Sequence, residues 1–361
     1  MKYDLIVMKF GGTSVENQER LLSVSKIIKK EITCGKKVIA VVSAQGYTTD
    51  NLLALSQKIT NTPNLRELDV LLSTGEQISI ALLAMTLESI GVKAVSLTGW
   101  QAGIKTCSNH SNARILDIFT DRIENKLKNH DAIIIAGFQG INENDDITTM
   151  GRGGSDTTAV AIAAAMNAKE CLIYTDVDGV YTADPRIVKN AKKIKEVSYD
   201  YMIKMADMGA QVLNKRSVRL AKKYGVEISV LSSILKNQGT KVREVDLNAK
   251  PVTSLTVEKD LFLLKFKSKD FDFIFEKIQK NKINILDIFF KESFYSILLN
   301  QTYLEQIQEL FVDFKDYETK LNLSKISIIC SNQDIIFDIF SKVKKASKNI
   351  PIKYANVCEY I

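Results

Sequence analysis

The chain has 361 residues, 45% apolar and 25% charged, with a net charge of +7. That is length enough for two domains of ordinary globular composition. The positive excess forms no basic block, which argues against nucleic acid as a partner. The five cysteines include no C-x-x-C pair, and the two histidines argue against a His-based triad or a histidine-rich metal site.

MKYD leads straight into the apolar run LIVMKF (5–10), without the pattern of a signal peptide or a membrane span. A reducing, cytoplasmic setting with free thiols is expected. Further runs at 37–43, 93–99, 131–138, 170–177 and 227–233 are apolar on both faces, as parallel strands covered by helices are. Helical patterns lie between them at 20–30, 66–90, 113–128, 157–168 and 210–224. The alternation predicts an open α/β sheet, mostly parallel, between helical layers, with ligands beyond the carboxyl ends of its strands. The polar segment KNQGTKVREVDLNAKP (236–251) reads as a linker. Beyond it the order changes to β-α-β-β-α-β-α-β, an α+β pattern like one ferredoxin-like module followed by part of another. The expected divisions are 1–240, 251–316 and 317–361.

Two glycine loops carry the chemistry. Lys9 precedes Gly11-Gly12, and Gly151-Arg152-Gly153-Gly154-Ser155-Asp156 opens onto the alanine-rich run AVAIAAA. Glycines admit a ligand close to the backbone, and a helix start offers free N–H groups and a positive dipole end, so both loops suit anions. There is no GxxxxGK[ST] pattern, so neither is a P-loop. Lys9 is either a charge-neutralising ammonium for phosphate or a lysine at a strand end. Arg152 suits bidentate grip of a carboxylate, and Asp156 is either a helix-start carboxylate or a group organising the lysine. Ser73 or Thr74 can cap the apolar helix that follows, which places Glu76 in its first turn; the alternative is a carboxylate for a substrate ammonium. YTDVDGVYTADPR (174–186) is either a nucleotide-holding loop or a polar loop with turn signals.

KFGGTSV (9–15), VVSAQGYTTDNLL (41–53), STGEQISIALLA (73–84), SLTGWQAGI (96–104), TTMGRGGSDTTAVAIAAA (148–165) and YTDVDGVYTADPRIV (174–188) resemble the aspartokinases in sequence and order over roughly residues 5–240. The resemblance implies the amino-acid kinase fold and transfer of a phosphoryl group from ATP, carried with Mg²⁺, to L-aspartate, in the biosynthesis of lysine, threonine and methionine. By the same resemblance Lys9, Gly11, Gly12 and Ser14 would cradle phosphates, and Asp156 would organise the lysine. Thr48, Glu76, Arg152, Gly154 and Ser155 would hold aspartate, while Thr175, Asp176, Tyr181, Asp184 and Arg186 would line the nucleotide site. No metal ligands are implied on the chain, and tandem ACT-type regulatory modules would pair it into a homodimer.

The chain also departs from that pattern. Gln45-Gly46-Tyr47 stands where the family usually has Met-Gly-Asp, Asn214-Lys215 where many members have His-Pro, and Leu231 where an arginine is common. KSKDFDFIFEKI (267–278) lacks the usual Pro-Gly, and DIFFKES (287–293) replaces a polar Gln-Asn segment. Weak or absent feedback inhibition is expected from these losses. The alternatives are a paralogue of a specialised pathway, a kinase of glutamate, acetylglutamate or UMP, and a non-catalytic ACT-type sensor.

Overall fold

The apolar runs of the first part become strands because neither face meets water. The computed structural model describes residues 4–235, 238–245, 253–314 and 316–330, with Ser341, Lys342 and Lys345. It begins β1 (Leu5–Phe10), α1 (Gln18–Thr33), β2 (Lys37–Val42), α2 (Thr48–Gln57), α3 (Leu65–Ser89) and β3 (Ala94–Leu97). There follow β4 (Ile104–Thr106), β5 (Ile115–Ile118), α4 (Asp121–Leu127), β6 (Ala132–Ala136), β7 (Gln139–Ile141), β8 (Ile147–Thr149) and α5 (Gly154–Ala165). Then come β9 (Glu170–Thr175), β10 (Glu196–Val197), α6 (Tyr199–Asp207), α7 (Lys215–Tyr224), β11 (Glu227–Ser232) and β12 (Thr240–Val242). The chain divides into two compact units, Met1–Pro185 with Lys189–Lys250, and Pro251–Ile361 with Arg186–Val188.

In the first unit an eight-stranded sheet runs β10-β12-β11-β9-β1-β2-β6-β3, parallel except where β12 pairs antiparallel with β11. Side chains alternate across each strand. Met8 and Phe10 of β1 join Val24 and Ile28 of α1 and Leu83 and Leu87 of α3 in one core. The intervening Val7 and Lys9 point to the opposite face, the one that α5 covers. This alternation is why a strand of buried apolar residues delivers one lysine toward the start of α5. A second sheet, β5-β4-β7-β8, is built from strands of three or four residues.

Several expectations change. Residues 113–128 form strand β5 and the short α4 rather than one helix, because Ile115–Ile118 finds a partner in β4. The segment read as a linker contributes β12, packed so closely that a Cβ on Gly239 would lie 1.8 Å from the Val230 carbonyl oxygen. The helix around Glu76 starts at Asn64, whose side chain accepts from the Arg66 N–H at 2.9 Å. Ser73 and Thr74 are therefore not caps; their hydroxyls donate back to the carbonyls of Val70 and Leu71. Glu76 sits in mid-helix. Gly75 beside it does not break the helix, because the tertiary fold uses its missing side chain: a Cβ there would meet that of Ala44 at 2.9 Å. The region 210–224 becomes helical only from Asn214, which caps α7. Helix α3 is long and apolar enough to cross a membrane by length and composition alone. Its buried face (Leu72, Glu76, Ile80, Leu83, Leu87) makes it a core helix.

The second unit carries β13 (Thr253–Lys267), α8 (Phe271–Lys280), β14 (Asp287–Lys291), β15 (Phe294–Asn300), α9 (Leu304–Leu310) and β16 (Tyr317–Cys330). The sheet is antiparallel, ordered β14-β15-β13-β16, the arrangement of a βαββαβ module. Tyr317–Cys330 pairs along β13 and so lies in the same sheet as the strands before it. Phe262, Leu264 and Phe266 face Ile274, Ile278 and Ile307 of the two helices, while Leu261 and Leu263 turn to the other face with Leu298. Helix α8 forms without Pro-Gly, entered through a 3-10 turn at Ser268–Asp270 whose Ser268 N–H donates to the Ser293 carbonyl at 2.8 Å. The strand and helix expected after residue 330 fall almost wholly outside the described residues.

Candidate active site

The carboxyl end of β1 turns at Gly11 and Gly12. A Cβ on Gly12 would lie 2.6 Å from the Ala44 carbonyl oxygen, so this turn needs a residue without a side chain. The Gly46 N–H donates to the Gly12 carbonyl at 3.1 Å, and the Gln45 amide donates to the Val15 carbonyl at 2.5 Å. Gln45, one of the departures noted above, thus bolts the 44–46 segment to the glycine turn. Tyr47 beside it projects into solvent. The Ser14 hydroxyl meets that of Ser233 at 2.8 Å, joining the turn to the residue after β11. Gly12→Ala is expected to force these loops apart by several tenths of an ångström and raise KM for nucleotide roughly 10-fold or more. Steady-state kinetics at varied ATP would check it, and an unchanged KM would refute the role of the close approach.

Lys9 Nζ lies 2.8 Å from Asp156 Oδ1, and the two side chains are only 11% and 12% exposed. Asp156 stands in the first turn of α5, where the helix dipole favours a negative charge. The helix enters through Gly151 and Gly153, both left-handed with φ of 69° and 71°, a conformation that costs other residues a Cβ clash. Ser155 packs against the end of β6, where a Cβ on Gly137 would lie 2.7 Å from it. Arg152 is exposed, and its guanidinium has no ion-pair partner among the described residues. Its backbone carbonyl accepts from Asn214 Nδ2 at 2.9 Å.

Glu76 is 3% exposed. The Ala44 N–H donates to its Oε1 at 3.1 Å, while Oε2 has no hydrogen-bond partner among the described residues. Burial pushes its carboxyl up to about 8, only partly offset by the Ala44 N–H and the Gln139 amide. A buried carboxyl with one oxygen left unsatisfied has room there for a cationic or donor partner. Thr48, first residue of α2, lies alongside: a Cβ on Gly75 would be 3.4 Å from its methyl.

At the end of β9 the Thr175 hydroxyl donates to Asp176 at 3.0 Å. Tyr181 donates to Asp178 at 2.8 Å, and Asp178 also pairs with Lys193. Thr240 Oγ1 accepts from the Val180 N–H at 2.8 Å, tying the loop to β12. Asp178, Lys193 and Thr240 hold this loop, and no local sequence pattern marks them; their signal is tertiary. Arg186 is grouped with the second unit. The structure therefore gathers Lys9, Gly11, Gly12, Ser14, Thr48, Glu76, Ser155 and Asp156 around the carboxyl ends of β1 and β2. Tyr181 and Asp176 lie in the adjoining loop after β9.

Set against known proteins, residues 4–232 match the model of the amino acid kinase family. An aspartokinase 2 of Bacillus subtilis is 40% identical, with 98% of this chain and 92% of that one covered. The chain belongs to the aspartokinases of the amino acid kinase family. Another aspartokinase, from Geobacillus stearothermophilus, is 57% identical over 240 residues, a match that spans 66% of this chain and 59% of that relative. Among solved structures, Escherichia coli aspartokinase III in complex with aspartate and ADP superposes with a TM-score of 0.79 at 22% identity, covering 97% of this chain and 93% of that one. At that identity the likeness speaks for the fold, and it extends through the second, antiparallel unit.

Proposed function

We propose that this aspartokinase transfers the γ-phosphoryl group of Mg-ATP to the β-carboxylate of L-aspartate, giving ADP and 4-phospho-L-aspartate. The observation that carries the reading is the Lys9–Asp156 pair, which joins the carboxyl end of β1, just before the glycine turn, to the start of α5. In the reaction the bond from phosphorus to the β–γ bridging oxygen breaks and a bond to a carboxylate oxygen forms. The acceptor is already ionised at neutral pH, its pKa being about 4, so no general base is required. Catalysis then rests on alignment and on neutralising the moving charge. Lys9 supplies the cation on the chain, Asp156 holds it in place, and Mg²⁺ arrives with the phosphates.

Gly11, Gly12 and Ser14 are assigned to the phosphates, and Thr175, Asp176, Tyr181, Asp184 and Arg186 to the nucleotide. The E. coli relative bound to aspartate and ADP supports a nucleotide site on this fold. For aspartate, Glu76 takes the α-ammonium, which supplies the partner its Oε2 lacks. Arg152, free of other ion pairs among the described residues, takes the α-carboxylate, with Thr48, Gly154 and Ser155 completing the pocket. The same proposal includes a cytoplasmic setting, which suits the free thiols of the four described cysteines. It also includes a homodimer through the second unit, where Phe290 and Ile288 stay exposed on edge strand β14.

The test is ADP release by the purified chain with Mg-ATP and L-aspartate, run beside glutamate, acetylglutamate and UMP. Aspartate-dependent release is expected. None with aspartate, or a clear preference for another acceptor, would overturn the assignment.

A further inference from the structure

Asp69 is fully buried yet takes no part in the chemistry proposed above. It lies on α3 two turns before Glu76, on the same buried face. Its carboxylate accepts from the Ser111 N–H at 2.9 Å, the Ser111 hydroxyl at 3.1 Å and the Thr149 hydroxyl at 2.5 Å. His110 Nδ1 sits 2.9 Å away. All of these come from the 108–112 loop and the end of β8. Ser111 is itself held at a positive φ of 61°, a conformation that an ordinary residue keeps only when its surroundings impose it.

The clamped loop meets the arginine loop directly. The Ser111 carbonyl oxygen lies 3.1 Å from where a Cβ on Gly151 would stand. Arg216 then bridges the two loops, donating to Asn112 Oδ1 at 3.1 Å and to the Met150 carbonyl at 2.8 Å. Thr149, one of the Asp69 donors, is joined to Gly151 through Met150 alone. The residues before Arg152 are thus pinned from two sides, by a buried carboxylate on α3 and by a guanidinium on α7.

We infer that Asp69 is a positioning residue for aspartate: through Ser111, Thr149 and the Asn112–Arg216 bridge it sets the place of Arg152 relative to Glu76 on its own helix. One rigid helix then registers both ends of the amino-acid substrate, directly at the ammonium and through the clamped loop at the α-carboxylate. The inference rests on the aspartate kinase reading, because it assigns the α-carboxylate to Arg152.

Asp69→Asn tests it by putting an amide N–H where the carboxylate now accepts only. KM for aspartate is expected to rise roughly 10- to 100-fold, the scale of a misplacement near 1 Å, with KM for ATP changed less than about 2-fold. Amide exchange in the 108–112 and 150–154 segments is expected to accelerate. A fall in kcat with both KM values unchanged would mean only a smaller folded fraction and would overturn the inference, as would unchanged KM and exchange. Should Asp69→Asn not fold, Thr149→Val and His110→Ala remove single partners, and a KM rise confined to aspartate is expected of each. If the wild-type chain has no aspartate-dependent activity, the kinase reading fails while exchange in the two segments still decides whether Asp69 holds the loop.

Discussion

Lys9→Ala is expected to lower kcat about 10³-fold, the range seen when a transition-state cation or oxyanion donor is removed from a water-poor site. The size follows from where the ammonium sits. It is one-tenth exposed, between the glycine turn after β1 and the start of α5, so little water screens it from a phosphoryl group. Stability is expected to fall much less than activity. The variant leaves Asp156 without its cation, but the dipole at the start of α5 still favours the carboxylate, so a loss of about 1–2 kcal/mol is expected. Lys9→Arg is expected to restore little, because a planar fork does not fill the space of a compact ammonium. Single-turnover kinetics beside a thermal melt would separate the two effects, and a kcat within about tenfold of wild type would remove Lys9 from the reaction centre.

The second large effect concerns Glu76. Glu76→Gln is expected to raise KM for aspartate roughly 10²-fold, the scale of losing one partner of a desolvated charge pair. Because burial holds its carboxyl at about 8 against an ordinary 4.5, the free protein keeps a proton there that the unfolded chain has already lost. The native state therefore binds more protons between those values. The contribution to stability is full below pH 4.5 and is lost as pH rises through about 8. Aspartate's ammonium pairs with the ionised form. Hence kcat/KM for aspartate is expected to climb with pH, reach half its plateau near pH 8 and lie about tenfold below that plateau one unit lower. At saturating aspartate the bound ammonium favours ionisation, so kcat is expected to vary less. Glu76→Gln should flatten the kcat/KM profile. A wild-type profile that is level from about pH 6 to 8 would separate Glu76 from the ammonium.

Much of the architecture could be read in advance for a local reason. Runs such as LIVMKF and DAIIIAGF are short, rich in β-branched residues and apolar on both faces, as covered strands are, and β1 and β6 lie within them. The two glycine loops were equally visible, since Gly153 with its left-handed φ and Gly12 against Ala44 each need a residue without a side chain. The four short strands of the second sheet leave no mark in the sequence because three or four residues carry no period, and their pairing exists only once β4 and β7 are side by side. Residues 113–128 carry a helical pattern locally, yet β5 forms for the same reason. Ser73 and Thr74 have the chemistry of helix caps, yet the helix runs through them, and Gly75 serves a close approach to Ala44 that no local pattern announces.

The amino-acid order names the side chains that can act: one lysine ahead of two glycines, an arginine and an aspartate at a helix start, a glutamate in an apolar run. Their order along the chain was enough for the family resemblance. How they meet depends on the packed fold. Lys9 reaches Asp156 because β1 lies between β2 and β9 with odd-numbered side chains turned toward α5. Glu76 titrates near 8 because it lies on the buried face of its helix. Asp69 becomes the anchor of the arginine loop because parts of the chain far apart in sequence converge on one carboxylate. Burial and long-range pairing are properties of the packed chain, and no window of neighbouring residues contains them.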